Sequence, residues 1–214
     1  MTTAIKGLPT IDAIMGGREY LLKNSAEDLQ GWNSDHPIFD KLVDEIEPKV
    51  IVEVGSWKGR SVAHWTAATV ALGTEIFAVD TWLGGTEHHL SDLAHDDRKL
   101  DECGSPTLYH QFLRNFVGKP EASRIHPLQQ TSQNGARILR HFGVQADIIY
   151  IDGSHEYEDV YSDLIAYAPL LAAGGRMFGD DFRAFPGVFA AVIRYAHERG
   201  HNIQEVDHNF WILR

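Results

Sequence analysis

A single cysteine, Cys103, stands among 214 residues, so no internal disulfide can brace this chain and stability must come from a buried core. Basic residues are scarce. Nineteen Lys and Arg face 30 Asp and Glu, a formal net charge of −11. Binding to nucleic acid requires a basic stripe that displaces counterions from phosphates, so nucleic acid is not an expected partner. No stretch approaches the roughly 18 apolar residues that span a bilayer. The opening MTTAIKGLPT lacks a charged segment leading into an apolar run. The expectation is a soluble, unexported, cytoplasmic chain with no membrane partner. Two glycine fingerprints are also missing: there is no GxGxxG of dinucleotide-binding folds and no GxSxG nucleophile elbow. Hydrophobic residues at 43% and charged residues at 23% are ordinary for a globular protein and exclude disorder, and the length suits one domain.

What is present is an alternation of short apolar runs and amphipathic stretches. Val50 to Val54, Ile76 to Val79 and Ile148 to Ile151 are β-rich and bounded by turn or charged residues, as strands buried on both faces are. Ile38, Phe39, Leu42, Val43 and Ile46 recur at helical spacing between Pro37 and Pro48. The same period returns from Leu108 to Val117, from Val160 to Leu171 before Gly174-Gly175, and from Val188 to Ala196 before Gly200. Strands alternating with helices of this length predict an α/β fold with a parallel sheet. Only Asp207-His208-Asn209 separates Asn202–Val206 from Phe210–Leu213, too short for a crossover helix, so the last two strands should form an antiparallel hairpin. Seven strands follow, near 50–54, 75–80, 124–129, 147–152, 175–180, 202–206 and 210–214. Residues 1–35 read as an N-terminal extension to a domain over 36–214. The stretch 83–107 lacks periodicity and reads as a lid or substrate loop.

Three sets of residues carry chemistry. The first is Glu53-Val54-Gly55-Ser56-Trp57-Lys58-Gly59-Arg60-Ser61, a glycine-bearing turn from strand to helix, where the backbone can approach a ligand and a helix N-terminus offers N–H groups. The second is Asp80, at the end of the second strand, where an acid can accept hydrogen bonds from both hydroxyls of a ribose. A helix cap or solvated turn is the alternative. The third is Asp152 with Asp180 and Asp181, each at a strand end and separated by one helix. In a parallel sheet such strands are commonly neighbours, so the three carboxylates would meet at the carboxyl edge. Three anionic groups converging there would repel one another unless a hard divalent ion such as Mg²⁺ joined them. The alternative is that Asp152 caps the next helix while Asp180 and Asp181 face water. His155, three residues after Asp152, is either a proton acceptor beside that site or a surface histidine at a helix start. His88, His89 and His95 lack a recognised zinc spacing.

These residues, with Val79-Asp80-Thr81-Trp82, Ile151-Asp152-Gly153-Ser154-His155 and Gly179-Asp180-Asp181-Phe182, resemble the class I S-adenosylmethionine-dependent methyltransferases. The branch they are most similar to contains bacterial small-molecule O-methyltransferases related to catechol and macrocin-type enzymes, over roughly residues 32–214. The resemblance implies a Rossmann-like seven-stranded sheet, mostly parallel with a C-terminal antiparallel hairpin, and helices on both faces. It implies that Glu53, Gly55, Ser56, Trp57 and Ser61 surround the methionine part of the cofactor. Asp80 would hold the ribose beside Thr81, and Ser132 and Gln133 would contact the adenine; Trp82, just after Asp80, reads from the sequence either as core, like Trp57 and Trp211, or as a flank to the adenine. It further implies a divalent cation on Asp152, Asp180 and Asp181, with Asp152 also beside the cofactor. Catechol-type enzymes have a lysine base where this chain has His155, so the base is either His155 or Asp152. The function implied is metal-assisted methylation of a hydroxyl on a small molecule with vicinal oxygens: a sugar, a catechol or a natural product. Alternatives are a nitrogen methyltransferase or cephalosporin-modifying relative, and a non-catalytic cofactor-binding module. A homodimer is the default assembly.

Overall fold

The computed structural model describes residues 7–22, 26–90 and 99–214. Five strands form the parallel part of the sheet: β1 (Val50–Val54), β2 (Glu75–Asp80), β3 (Ile125–Gln129), β4 (Ala146–Ile151) and β5 (Leu171–Gly179). Two more, β6 (Ile203–Val206) and β7 (Phe210–Leu213), complete a seven-stranded sheet in the order β3-β2-β1-β4-β5-β7-β6. β7 runs antiparallel between β5 and β6, so the hairpin expected from its short connection docks by its second strand. The strand order reverses at β1, which opens a crevice at the carboxyl ends of β1 and β4.

The strands are buried on both faces because helices cover both. One face packs Ile51, Ile148, Tyr150 and Phe178 against α2 (Ile38–Ile46), α3 (Arg60–Ala68) and α5 (Leu108–Phe116), with Phe39, Trp65 and Phe112 at its centre. The other packs Val52, Phe77, Ile149 and Met177 against α6 (Ser132–His141), α7 (Tyr157–Tyr167) and α8 (Pro186–Arg199). α2 begins after Pro37 and ends at Glu47, which is left-handed (φ 48°) and meets Pro48. Proline after a left-handed cap is a strong stop, as the spacing predicts.

In the N-terminal extension, Ile11 and Met15 of a short helix α1 (Ile11–Met15), with Leu22, are buried in the first core. Residues 1–6 and 23–25 lie outside the described residues. Leu171, read as the end of a helix, instead starts β5, which runs through Gly174-Gly175; its pairing with β4 is irregular between Ala146 and Ile148. An intervening 3-10 turn over Ala168–Leu170, with Pro169 inside it, has already ended the helix.

At the end of β5, Gly179 has no room for a side chain. A Cβ there would lie 2.3 Å from Trp211 Cζ2 and 2.5 Å from the Ile151 carbonyl oxygen. Gly179→Ala is therefore expected to destabilise the fold by roughly 1–3 kcal/mol through overpacking. A lower urea midpoint at unchanged m-value would show it.

Candidate functional site

The carboxyl ends of β1, β2, β4 and β5 open into a cavity of about 620 Å³, within the range of small-molecule sites. Its floor is the turn after β1. Gly55 adopts φ +86°, and a Cβ on it would stand 2.0 Å from the Asp152 carbonyl oxygen, so only glycine lets β1 and β4 end side by side. Gly59, at φ +84°, faces the rings of Phe112 and Phe116 and precedes α3.

Asp80 clamps this turn. One carboxylate oxygen accepts the Ser56 and Trp57 N–H groups, each at 2.9 Å, and the other accepts Trp82 N–H at 2.7 Å. Burial raises its pKa against the opposing effect of these donors. Beneath the turn Glu53 is fully buried, accepting Ser61 Oγ at 2.8 Å and Trp65 Nε1 at 3.0 Å. Burial pushes its pKa up to about 7, although the hydroxyl and indole donors favour the charged form.

The acids after β4 and β5 converge. Asp152 is pushed well above the usual carboxylate range by burial first, then by the charges of Asp180 and Asp181. Its Oδ2 accepts Tyr150 O–H at 2.9 Å. Asp180 rises to about 6 for the same reasons, burial and then Asp181. It accepts Asn33 Nδ2 at 3.2 Å, the Asp181 N–H at 2.6 Å and the amide of Asn209. Asp181, with φ +63°, turns its carboxylate to His155, whose Nε2 lies 3.0 Å away. The imidazole stacks on Phe185 at 3.8 Å between centroids. Asp180 and Asp181 are thus close enough to raise the proton affinity of Asp152, and Asp181 that of Asp180, but none of the three is bare. Among the described residues no group of three or more His, Cys, Asp or Glu is arranged to hold a metal ion.

Other expected residues divide. Gly55, Ser56, Trp57, Ser61, Asp80, Thr81, Ser132, Gln133, Asp152 and His155 line the cavity, as do Asp180 and Asp181. Trp82 does not. It is 1% exposed, packs on Tyr109 and Phe112, and donates Nε1–H to the Trp57 carbonyl at 2.7 Å, so its ring is core and supports the turn. Glu53 likewise lies under the turn and off the cavity surface. His88 stacks on Trp57 at 4.4 Å beside the cavity, at the start of the expected lid, in the short helix α4 (Thr86–Leu90). His95 and the middle of that connection lie outside the described residues.

The sequence reading missed the wall built by residues 30–34, which Asp28 braces from behind. Gln30 Oε1 accepts Trp57 Nε1–H at 2.8 Å, the Gly31 carbonyl accepts Arg60 at 2.9 Å, and Asn33 reaches Asp180. Asp28 pairs with the buried Lys58 at 2.9 Å, while Asn115 of α5 donates to the carbonyls of both Asp28 and Lys58 at 2.7 Å. The only sequence hint was a polar and aromatic run without periodicity directly before α2.

Residues 52–182 match the family profile described as a methyltransferase domain. An uncharacterized protein of Sinorhizobium fredii, y4gI, is 29% identical over 143 residues, which is 66% of this chain and 14% of that protein. The chain therefore spans about a seventh of the length of that relative. Among solved structures, a Staphylococcus aureus protein assigned as a caffeoyl-CoA O-methyltransferase superposes with TM-score 0.60 at 14% identity, covering 96% of this chain and 91% of its own. CalS11, a TDP-rhamnose 3'-O-methyltransferase of calicheamicin biosynthesis, gives 0.59 at 18% identity, covering 91% and 90%. Among the described residues no helix is long and apolar enough to cross a membrane.

Glu53 carries a pH prediction. Its folded pKa of about 7 lies above its ordinary 4.5, so its contribution to stability is complete below 4.5 and is lost as pH rises through 7. Relative to Glu53→Gln, the native protein should lose on the order of 3 kcal/mol between pH 4.5 and pH 8. Urea unfolding of both proteins at several pH values across this window measures the difference.

Proposed function

Because the chain belongs to the methyltransferase-domain family of class I S-adenosylmethionine-dependent enzymes, we propose that it transfers a methyl group to a hydroxyl oxygen of a small molecule with vicinal oxygens, assisted by a divalent cation. The observation that carries this reading is one cavity shared by the glycine turn after β1 and the acids Asp152, Asp180 and Asp181. The likeness to O-methyltransferases of known structure speaks for the fold, and the acidic edge speaks for the chemistry.

Bound S-adenosylmethionine supplies an electrophilic methyl group on a positive sulfur. The chain's part is to bind and orient. The turn at Gly55, Ser56 and Trp57 is fixed by Asp80, which lines the cavity where a ribose hydroxyl would meet its carboxylate. The neighbouring acids favour a cation in this corner over a neutral or anionic group.

Carboxylate oxygens are the donors a hard divalent ion takes, although in this structure the three acids are not arranged around a metal position; burial first, and the neighbouring carboxylates second, raise the pKa values of Asp152 and Asp180. Asp152, Asp180 and Asp181 would hold it, and the chemistry it would supply is a lowered pKa of an acceptor hydroxyl. His155 would then take the hydroxyl proton, and Asp181, 3.0 Å from its Nε2, would stabilise the imidazolium. The aromatic shelf of Phe185 keeps the ring in place. The hydroxyl oxygen must face the methyl group in line, which the converging walls of residues 30–34 and 152–155 serve by excluding water and restricting poses.

Titration calorimetry with S-adenosylhomocysteine should show one-site binding. Transfer to a vicinal diol or catechol acceptor should fall at least tenfold when divalent ions are chelated, recover with Mg²⁺, and fall similarly in Asp152→Ala. Full transfer without metal would remove the cation from the reading. His155→Ala should lower kcat by roughly 10²-fold, the low end for a lost general base, with little change in KM for S-adenosylmethionine. An unchanged kcat would exclude it as the base.

A further inference from the structure

Asp163 belongs to none of the groups described so far. It sits on α7, is 2% exposed, and points across to the first turn of α6. One of its oxygens, Oδ1, accepts both the Ser132 hydroxyl at 2.5 Å and the Gln133 side-chain amide at 2.9 Å. One turn further along α7, Tyr167 donates its hydroxyl to the Ser132 carbonyl at 2.8 Å. Helix α7 thus grips Ser132 at both its side chain and its backbone. The helices can come this close because Gly135 carries no side chain: a Cβ there would meet Val79 at 2.4 Å and the Tyr167 hydroxyl at 3.0 Å.

A buried carboxylate is costly, and here the fold could have left Ser132 and Gln133 to water, since both line the cavity. What the carboxylate adds is direction. A serine hydroxyl and a glutamine amide are each both donor and acceptor. The only donor of Ser132 and one of the two amide N–H groups of Gln133 are committed to Asp163, which leaves Ser132 Oγ to act toward the cavity through its lone pairs. At Ser132 that corner of the cavity is therefore an acceptor, complementary to a ligand N–H.

The sheet order says which part of a nucleoside ligand reaches it. The glycine turn follows β1, Asp80 ends β2, and Ser132 and Gln133 follow β3, the next strand outward. A ligand with its reacting end over β1 and β4 and its ribose at Asp80 has its base beside Ser132 and Gln133. The exocyclic amino group of adenine is a donor that fits this acceptor, whereas hypoxanthine places a carbonyl acceptor at the same position and carries its donor on N1 instead.

We propose that Asp163 is a positioning residue that sets the hydrogen-bond polarity of Ser132 and holds Gln133 beside it, so that the base end of the cavity selects an amino-bearing purine over its deaminated counterpart. The inference rests on the S-adenosylmethionine reading given above. It also implies a pH effect. Burial raises the Asp163 carboxyl to about 7, with Asp159 on the same helix adding repulsion and Ser132 opposing it. From α6 it faces only the neutral Ser132 and Gln133, and on its own helix the phenol of Tyr167 stands one turn away. Protonation as pH falls through 7 weakens the shared acceptor and loosens both partners.

Titration calorimetry with S-adenosylhomocysteine and with S-inosylhomocysteine, from pH 6 to pH 8.5, tests this on the full chain. The native protein should prefer the adenosyl ligand by about tenfold or more, one hydrogen bond's worth, and bind it more weakly below pH 7. Asp163→Ala should lose most of that preference. Asp163→Asn keeps an acceptor without a titration, so it should retain the preference and lose the inflection that Asp163 contributes near pH 7. An unchanged adenosyl-to-inosyl ratio in Asp163→Ala overturns the proposal. If that variant does not fold, a pH profile of Asp163→Asn identical to the native one overturns it. Failure of the native protein to bind S-adenosylhomocysteine at all would instead bring down the cofactor reading, and this inference with it.

Discussion

Everything at the carboxyl edge depends on two strand ends meeting without a side chain between them. Gly55 follows β1 and Asp152 follows β4, and the backbone of the second occupies the space where a Cβ of the first would be. Backbone bonds continue past the strands: Asp152 N–H donates to the Val54 carbonyl at 2.8 Å, and Gly55 N–H donates to the Val79 carbonyl at 2.9 Å. Three strands are thereby tied together at the point where the sheet order reverses. The turn, the ribose-side acid and the first of the three converging acids are placed relative to one another by main chain, which side-chain substitution hardly perturbs.

Against that rigidity stands an electrostatic burden. Glu53, Asp80, Asp152, Asp163 and Asp180 all have raised proton affinity, and burial is the largest cause in each case. An uncompensated set of this kind works against folding. The fold tolerates it because each acid has donors around it and because the apolar layers on both faces of the sheet are continuous. Surface ion pairs such as Arg183 with Glu205 contribute little by comparison, since exposed pairs are screened.

How much of this was legible in the sequence depends on how local the signal is. The apolar runs that become β1, β2 and β4, the Pro37 and Pro48 limits of α2, and the three-residue link before β7 are local patterns, and their outcome follows from chain stiffness and hydrophobic period. Asp152, Asp180 and Asp181 could be brought together on paper because strand ends in a parallel sheet share an edge. Trp82 is a residue for which the sequence left two readings, core or ligand flank. Asp80, two residues before it, faces the turn, whereas Trp82, at φ 53°, is buried in the core. Residues 28–34 and Asp163 were invisible for a different reason. Their partners are distant in the chain: Gln30 meets Trp57, Asn33 meets Asp180, and Asp163 meets Ser132. No periodicity encodes such pairings.

The clamp that Asp80 places on the turn has a thermodynamic side. A glycine-bearing segment is ordinarily the most expensive kind of backbone to order, because glycine has the most conformations to give up. Here the carboxylate gathers the N–H groups of Ser56, Trp57 and Trp82 within the folded chain itself. The entropy of ordering is therefore spent once, when the protein folds, and is not charged again to each ligand that arrives. A turn prepared in this way meets its ligand as a mould, and the free energy of contact goes into affinity with little drawn off to arrange the backbone.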